Sequence, residues 1–319
     1  MDSERKILYG IIGPLSLNKP EIDPAEIQAY FRRAEELGFH SVWLTEQSGF
    51  RARIASLESM TLMSYAAAVT TRLRLGYAVM LINLRNPIEV AKGMASIDQL
   101  SRGRVILGVA LGASPALYGA YGLTPERRVA RFNETLDYIK KLWTQEDLTF
   151  EGRYFQIKNA NLLPKPFQKP HPPVWFGGNV AEALKRAVKN GTGYIGAGSS
   201  STADFRANVQ TIRQELESTG KDPDQFLLAK RVNLAVDKDR ERAHRRLREW
   251  FGGYYNKPDQ ADRVAVWGSP EQVIEGLQEV ISAGARIVIL SPVFDGMEQM
   301  EILASEVVPH LTGGKIRAR

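Results

Sequence analysis

The chain has 319 residues, 44% of them hydrophobic and 24% charged, with a formal net charge of +6 and no cysteine. This composition suits a soluble protein with a large core and excludes disulfides and thiolate metal sites. No apolar run approaches the roughly 20 residues of a membrane helix, and the charged opening MDSERKILYG does not resemble a secretory signal, so a cytoplasmic protein without membrane contact is expected.

Residues 6–12 (KILYGII) read as a first strand, and Asp23-Pro24 then opens a helix with proline at its first position. Gly38 ends that helix, and residues 41–46 (SVWLTE) form a second strand. A helix near 56–69 leads to a third strand at 73–80 (LRLGYAVM). Pro87 starts the next helix, residues 104–112 (RVILGVALG) form the fourth strand, and a helix over 124–143 follows. The rhythm then breaks. Residues 144–173 hold two short strand-like pieces and the run NLLPKPFQKPHPP, too rich in proline for regular helix. It resumes with VWFGG, a helix, GYIGAG, a helix near 203–218 and the strand FLLAKRVNLAV. The basic run KDRERAHRRLR (238–248) mixes acids with bases, which describes an exposed helix face and not a nucleic-acid surface. A second irregular piece at 251–269 precedes a helix, the strand RIVIL and a last helix near 297–310.

About eight strands, each followed by a helix, predict the α/β class and a (β/α)8 TIM barrel. The chain reads as one domain over 1–319, with insertions near 144–173 and 251–269. A doubly wound open sheet would want GxGxxG after the first strand, where this chain has IIGPLSLN.

In such a barrel the site lies at the carboxyl ends of the strands. That rule selects Glu46 and Gln47 after strand two, and Asn83 and Arg85 after strand three. Strand four supplies Gly112, Ser114 and Pro115, with Tyr118 and Tyr121 beyond. Strand five supplies Gly177, Gly178 and Asn179, and strand six Ala197, Gly198 and Ser199. Arg231 and Asn233 lie within strand seven, and Ser291 and Asp295 follow strand eight. His40 and His171 precede strands and fall at the opposite end, His244 is on a helix, and His310 is in the tail. No HxxxH or grouped strand-end acids suggest a metal, and a Ser-His-Asp mechanism lacks its base.

What remains is mostly small and neutral, which suits cradling a cofactor that carries its own reactivity. The net positive charge would favour an anionic one. VWFGGN opens directly into a helix, whose N–H groups bind anions where glycine permits close approach, and GAGSSS adds donors. Two readings stand for these glycines: a phosphate cradle, or tight barrel turns.

Over nearly its whole length the chain resembles the luciferase-like flavin monooxygenases and their deazaflavin-dependent relatives. The resemblance is carried by GFHSVWLTE, by RLRLGYAVMLINLRNPIEVAKGMASIDQLSRGRVILGVALGA, by RVARFNETLDYIKKLW, by LLPKPFQKPHPPVWFGGN and by GSPEQVIEGLQEVISAGA. It implies reduced FMN or coenzyme F420 as cofactor, with a cis peptide at Ala78–Val79 supporting the ring. Gly108 and Gly112 would keep the backbone low beside that ring. It implies that Arg131, with Arg127 and Arg128 as rivals, reaches the cofactor phosphate; a solvated helix face is the other reading. Arg102 and Arg104, in the SRGR turn, would be structural and near the barrel base. It also implies a homodimer packed through helices two and three, where SMTLMSYAAAV offers small residues and methionines.

There are departures. Many relatives carry histidine after the acid of strand two, where this chain has Gln47, and luciferase-type relatives carry arginine near Leu111. Glu46 would then be either the proton donor or a structural acid bonded to backbone. The leading expectation is a luciferase-like monooxygenase, in which reduced FMN from a separate flavin reductase reacts with oxygen to oxidise a small organic substrate. Tyr118, Tyr121, Phe294 and the 251–267 stretch suggest an apolar one. The alternatives are F420-dependent hydride transfer, a non-catalytic flavin-binding protein, and a sugar-phosphate barrel that would need Lys230.

Overall fold

A computed structural model describes residues 6–14, 16–17, 21–46, 54–112 and 115–312; Gln47 and Ser114 lie outside the described residues. Eight parallel strands form the centre: β1 Leu8–Ile12, β2 Ser41–Leu44, β3 Arg74–Tyr77, β4 Val105–Val109, β5 Val174–Gly177, β6 Gly193–Gly196, β7 Leu227–Val236 and β8 Ile287–Pro292. Each pairs with the next, and β8 returns to β1 through Leu8↔Ile287 to Ile11↔Leu290. The sheet therefore closes into the expected (β/α)8 barrel. Its strands are almost continuously apolar because helices cover one face and the lumen the other.

The helices begin where the sequence supplies caps. Asp23 accepts the Ala25 N–H at 2.8 Å ahead of α1 (Pro24–Glu36), and α2 is Ser59–Val69. Asn86 accepts the Ile88 N–H at 2.9 Å ahead of α3 (Pro87–Leu100). These bonds satisfy amides that have no intrahelical partner, and proline fills the next position without losing one. Helices α4 (Arg128–Thr144), α5 (Ala181–Asn190), α6 (Thr202–Ser218), α7 (Arg240–Tyr255), α8 (Pro270–Ser282) and, after β8, α9 (Gly296–Ile302) complete the ring. Among the described residues no helix is long and apolar enough to cross a membrane.

The lumen is plugged, not hollow. The rings of Trp43 and Trp175 lie 5.3 Å apart inside it, packed with Ile106, Ile195, Ala229, Ile287 and Ile289. Glycine on the facing strands makes the room: a Cβ at Gly76 would sit 2.3 Å from the Trp43 ring. Below the plug, Arg104 is buried and ties the ends of α2 and α3 together.

Both irregular stretches have structure of their own. The first carries an antiparallel hairpin, Leu148–Glu151 with Gln156–Ala160, and Gln168 fastens its proline-rich limb to Asp98 by bonds of 2.7 and 2.8 Å. The second begins later than the sequence suggested. Helix α7 runs through Gly252 and Gly253 to Tyr255, because Trp250 stacks on Tyr254 at 4.4 Å and packs edge-on against Phe251 at 5.3 Å. Stacking that continues past the glycines outweighs their weak helix preference. Asn256 then ends the helix with φ 56°. A further strand, Val266–Gly268, pairs with the end of β7, and a short helix, Pro115–Ala120, precedes α4.

Candidate active site

Above the tryptophan plug the lumen is lined by small residues. Strand parity puts Ala78, Ala110, Gly177 and Ala197 on the same face as Trp43, Ile106, Trp175 and Ile195. The peptide bond between Ala78 and Val79 is cis, at the position the resemblance implied. A Cβ on Gly177 would lie 3.2 Å from Val79 Cγ1 and 3.6 Å from Ala110 Cβ. The ends of β3, β4 and β5 thus converge on a cradle that a side chain at Gly177 would begin to fill. Gly178 has φ 149°, a conformation that favours glycine, and its missing Cβ would meet Ala183 at 2.8 Å. Helix α5 then starts at Val180 without a side-chain cap, which leaves the N–H groups of Ala181 and Glu182 without a capping side chain. Asn179 Oδ1 accepts from Tyr194 Oη at 3.3 Å and Asn208 Nδ2 at 3.4 Å.

The loop after β6 is held from below and from the side. Lys230 Nζ donates to the carbonyls of Ala197 (2.5 Å) and Ser200 (2.7 Å) and to Ser200 Oγ. Burial, with the nearby Arg231 charge, lowers its pKa to about 7. Lys230 has the parity opposite to Ala229, so it props this loop from outside the lumen and presents no amine to the mouth. Asn233 Nδ2 donates to the Gly198 carbonyl at 3.0 Å, and Gln260 Nε2 to the Ser199 carbonyl at 2.8 Å. Ala197, Gly198 and Ser199 are thereby fixed by their carbonyls.

Glu46 has both carboxylate oxygens engaged. Oε1 accepts from Arg85 Nε at 2.6 Å, and Oε2 accepts the backbone N–H of Leu81. Arg85 also reaches Glu58 at 2.5 Å. Burial alone would lower the Arg85 pKa, but the two carboxylates outweigh it and hold it above its ordinary value. Burial likewise opposes the Glu58 carboxylate, while the N–H groups of Met60 and Thr61 and the Arg85 charge bring its pKa down to about 2. The sequence reading missed Glu58, although an acid directly before SMTLMS is a helix-cap signal.

Asn83 is buried and joins three loops. Its Nδ2 donates to the Arg128 carbonyl at 2.9 Å and to Tyr118 Oη at 3.2 Å, and Tyr118 Oη donates to the Leu111 carbonyl at 2.8 Å. Its Oδ1 is buried without a partner. Gly112 takes φ 79° over the Leu81 side chain. Arg131 lies near the start of α4. Its guanidinium lies 5.3 Å from the Phe155 ring centroid and 5.7 Å from that of Tyr154, both on the hairpin insertion, and its buried Nε has no partner. Among the histidines, His40 and His171 line a cavity at the amino ends of the strands, and His244 pairs with Asp262 at 2.6 Å on the surface.

A cavity of about 440 Å3 opens between the ends of β1 and β8 and helix α1, with Ile12, Tyr30, Trp250 and Phe294 among its walls. Tyr30 and Trp250 were also missed, since both lie on helices and strand ends alone do not select them. Asp295 is held by Arg246 at 2.6 Å. The arrangement as a whole offers shape, backbone donors and apolar walls, but no acid or base free at the cradle among the described residues.

Residues 12–265 match the model of the luciferase-like monooxygenase family. The chain belongs to that family. An F420-dependent glucose-6-phosphate dehydrogenase of Kineococcus radiotolerans is 28% identical over 318 residues, covering 90% of this chain and 93% of that one. Among solved structures, an F420-dependent secondary alcohol dehydrogenase in complex with an F420–acetone adduct superposes with a TM-score of 0.82 at 21% identity, over 95% of this chain and 98% of its own. The oxygenating constituent of 3,6-diketocamphane monooxygenase from Pseudomonas putida, in complex with FMN, superposes with a TM-score of 0.72 at 18% identity, over 96% and 99%. The luciferase-like fold is thus shared by enzymes of both cofactor types, and this chain is an oxidoreductase of that family.

Proposed function

We propose that the protein transfers hydride between coenzyme F420 and a small organic substrate held in the barrel mouth. The observation that carries this reading is the cradle itself. Val79, Ala110 and Gly177 leave a slot above a solid tryptophan floor, beside the uncapped start of α5. Such a site fits a flat ring with an anionic tail. The choice of deazaflavin over flavin is supported by the near full-length likeness to an F420-dependent dehydrogenase. When bound, the cofactor supplies the redox chemistry, and the protein's task is to bind, orient and exclude water.

The residues divide that task. Ala78, Val79 and Gly177 shape the slot, while Gly178 and Asn179 bring backbone donors to the phosphate end. Ala197, Gly198 and Ser199 form the wall that Lys230 and Asn233 hold in place. Gly112 and Asn83 fix the loops over the ring. Glu46 is a positioning residue, since Arg85 and the Leu81 amide occupy it and it pins the turn at Ile82–Leu84. Gln47, next after Glu46 in sequence, is assigned here to the reacting end as a neutral hydrogen-bonding group, where many relatives carry histidine. In this proposal the chain is one domain and works in the cytoplasm as a homodimer. Leu62, Met63, Ala66 and Ala67 of α2 are already buried within the chain, so a dimer contact would use the helix's other face.

The second reading is an FMN-dependent monooxygenase served by a flavin reductase, which the fold shared with an FMN-bound oxygenase favours. Anaerobic titration of the purified protein with oxidised F420 and with reduced FMN separates the two by absorbance and fluorescence. Saturable F420 binding at least tenfold tighter than FMN is expected. Tighter FMN binding would transfer the proposal to oxygen chemistry, and binding of neither would end it.

A further inference from the structure

Strand β7 presents an unusual pair to the mouth. Arg231 and Asn233 share the parity of Ala229, which faces the lumen. Both are buried, and each keeps one polar atom without a hydrogen-bond partner: Arg231 Nη2 and Asn233 Oδ1. The rest of each side chain is fixed. Arg231 Nε donates to Ser291 Oγ at 3.2 Å, and the guanidinium carbon lies 5.8 Å from the Tyr254 ring centroid. Asn233 Nδ2 is committed to the Gly198 carbonyl, which leaves Oδ1 as an acceptor. No salt bridge joins Arg231 to a carboxylate among the described residues, and a buried cation without a counter-charge is costly. Burial opposes its charge, and the neighbouring Tyr255 and Tyr254, the latter through a side-chain hydrogen bond, offset that cost without supplying a carboxylate.

We infer that Arg231 and Asn233 form the anion subsite for the substrate, taking an oxyanion on Nη2 and a hydroxyl donor on Oδ1. The inference rests on the reading that the reaction occurs in this mouth. Two residues apart on a strand, the pair is spaced by roughly 6.5 Å, which suits one small molecule that carries both groups. The ligand class is therefore a hydroxylated anion, such as a hydroxy acid or a polyol phosphate ester. Strand order places the pair across the barrel from the β3–β5 cradle, so the cofactor ring would lie between cradle and subsite.

The test uses the full chain, with and without saturating F420, and three probes: glycerol 3-phosphate, inorganic phosphate and glycerol. Binding is read from the concentration dependence of the thermal midpoint. Glycerol 3-phosphate is expected to bind tighter than inorganic phosphate, and glycerol not measurably. Arg231→Met should weaken both phosphate probes at least tenfold while F420 binds within twofold of the parent. Asn233→Leu should keep inorganic phosphate within threefold and remove the advantage of glycerol 3-phosphate. This second variant decides the matter if the first does not fold. Unchanged probe binding in both variants overturns the proposal, as does a loss confined to F420, which would assign Arg231 to the ring edge. If F420 fails to bind while glycerol 3-phosphate still binds through Arg231, the subsite stands and the cofactor reading falls.

Discussion

Two buried arginines sit at opposite ends of the same barrel, and their surroundings differ. Arg104, 8% exposed, lies at the base, and its guanidinium makes five hydrogen bonds, to the carbonyls of Ser101, Leu73, Ala67 and Thr70 and to Thr70 Oγ1. Arg231, 5% exposed, lies at the mouth with Nη2 unpartnered. Equal burial with unequal satisfaction separates a closure element from a receptor. Carbonyls at the end of α2 are themselves orphans of the helix, so a cation there completes the fold. The mouth has no such surplus, and its cation awaits a ligand.

The largest expected effect breaks this comparison directly. Arg104→Met leaves four buried carbonyls without a donor and should cost about 3 kcal/mol or more, at roughly 1 kcal/mol for each stranded group. Arg231→Met removes an under-satisfied charge and should change stability by less than about 1 kcal/mol in either direction. Urea midpoints of the two variants decide it. A comparable loss in both would mean that the mouth arginine is structural as well.

The next effect lies in the cradle. Gly177→Leu places its branch beside Val79 and into the slot. Cofactor affinity should fall at least 100-fold, about 2.7 kcal/mol, with the urea midpoint little changed. Normal binding by this variant would move the cofactor away from the β3–β5 ends.

The base also has a pH signature. Burial, with Arg74 and Lys6 nearby, lowers the His40 pKa to about 4 from an ordinary 6.5, and its Nδ1 has no partner. Between those values the unfolded chain binds more protons than the folded one, so stability rises with pH across that window and is lost as pH falls through it. The span is on the order of 3 kcal/mol. His40→Gln should flatten the profile between pH 4 and 6.5 and leave the pH 8 midpoint nearly unchanged. An unaltered slope would assign the acid sensitivity to other groups.

Much of the barrel was legible because alternation, caps and glycine punctuation are local signals. Pro24, Pro87 and Ser269 stand where their helices begin, and strand ends picked out Gly177 and Gly178, with Asn233 read from within strand seven. The partners were not legible, because they depend on contacts distant in sequence. Nothing around Lys230 announces that it bonds to Ala197 and Ser200, 30 or more positions earlier. Glu46 could be read as acid or anchor until Arg85 and the Leu81 amide were found on it. The end of α7 was misplaced for the same reason: two glycines are visible in sequence, whereas the stacking that carries the helix past them appears only in three dimensions.

The smallest expected effect concerns Arg131, which the family resemblance assigns to the cofactor phosphate and the structure turns toward the hairpin insertion. Its guanidinium faces Tyr154 and Phe155, and such contacts contribute about 0.5–1 kcal/mol at partly exposed sites. The neighbouring Phe132 packs on Phe176 at 6.0 Å, so the start of α4 is already anchored to β5 without it. Arg131→Leu keeps the apolar stem and loses only the charge. It should lower the urea midpoint by less than about 1 kcal/mol and weaken cofactor binding less than threefold. A loss of tenfold or more would mean that the guanidinium leaves the hairpin rings when the cofactor arrives, and that the phosphate site extends from the start of α5 to α4.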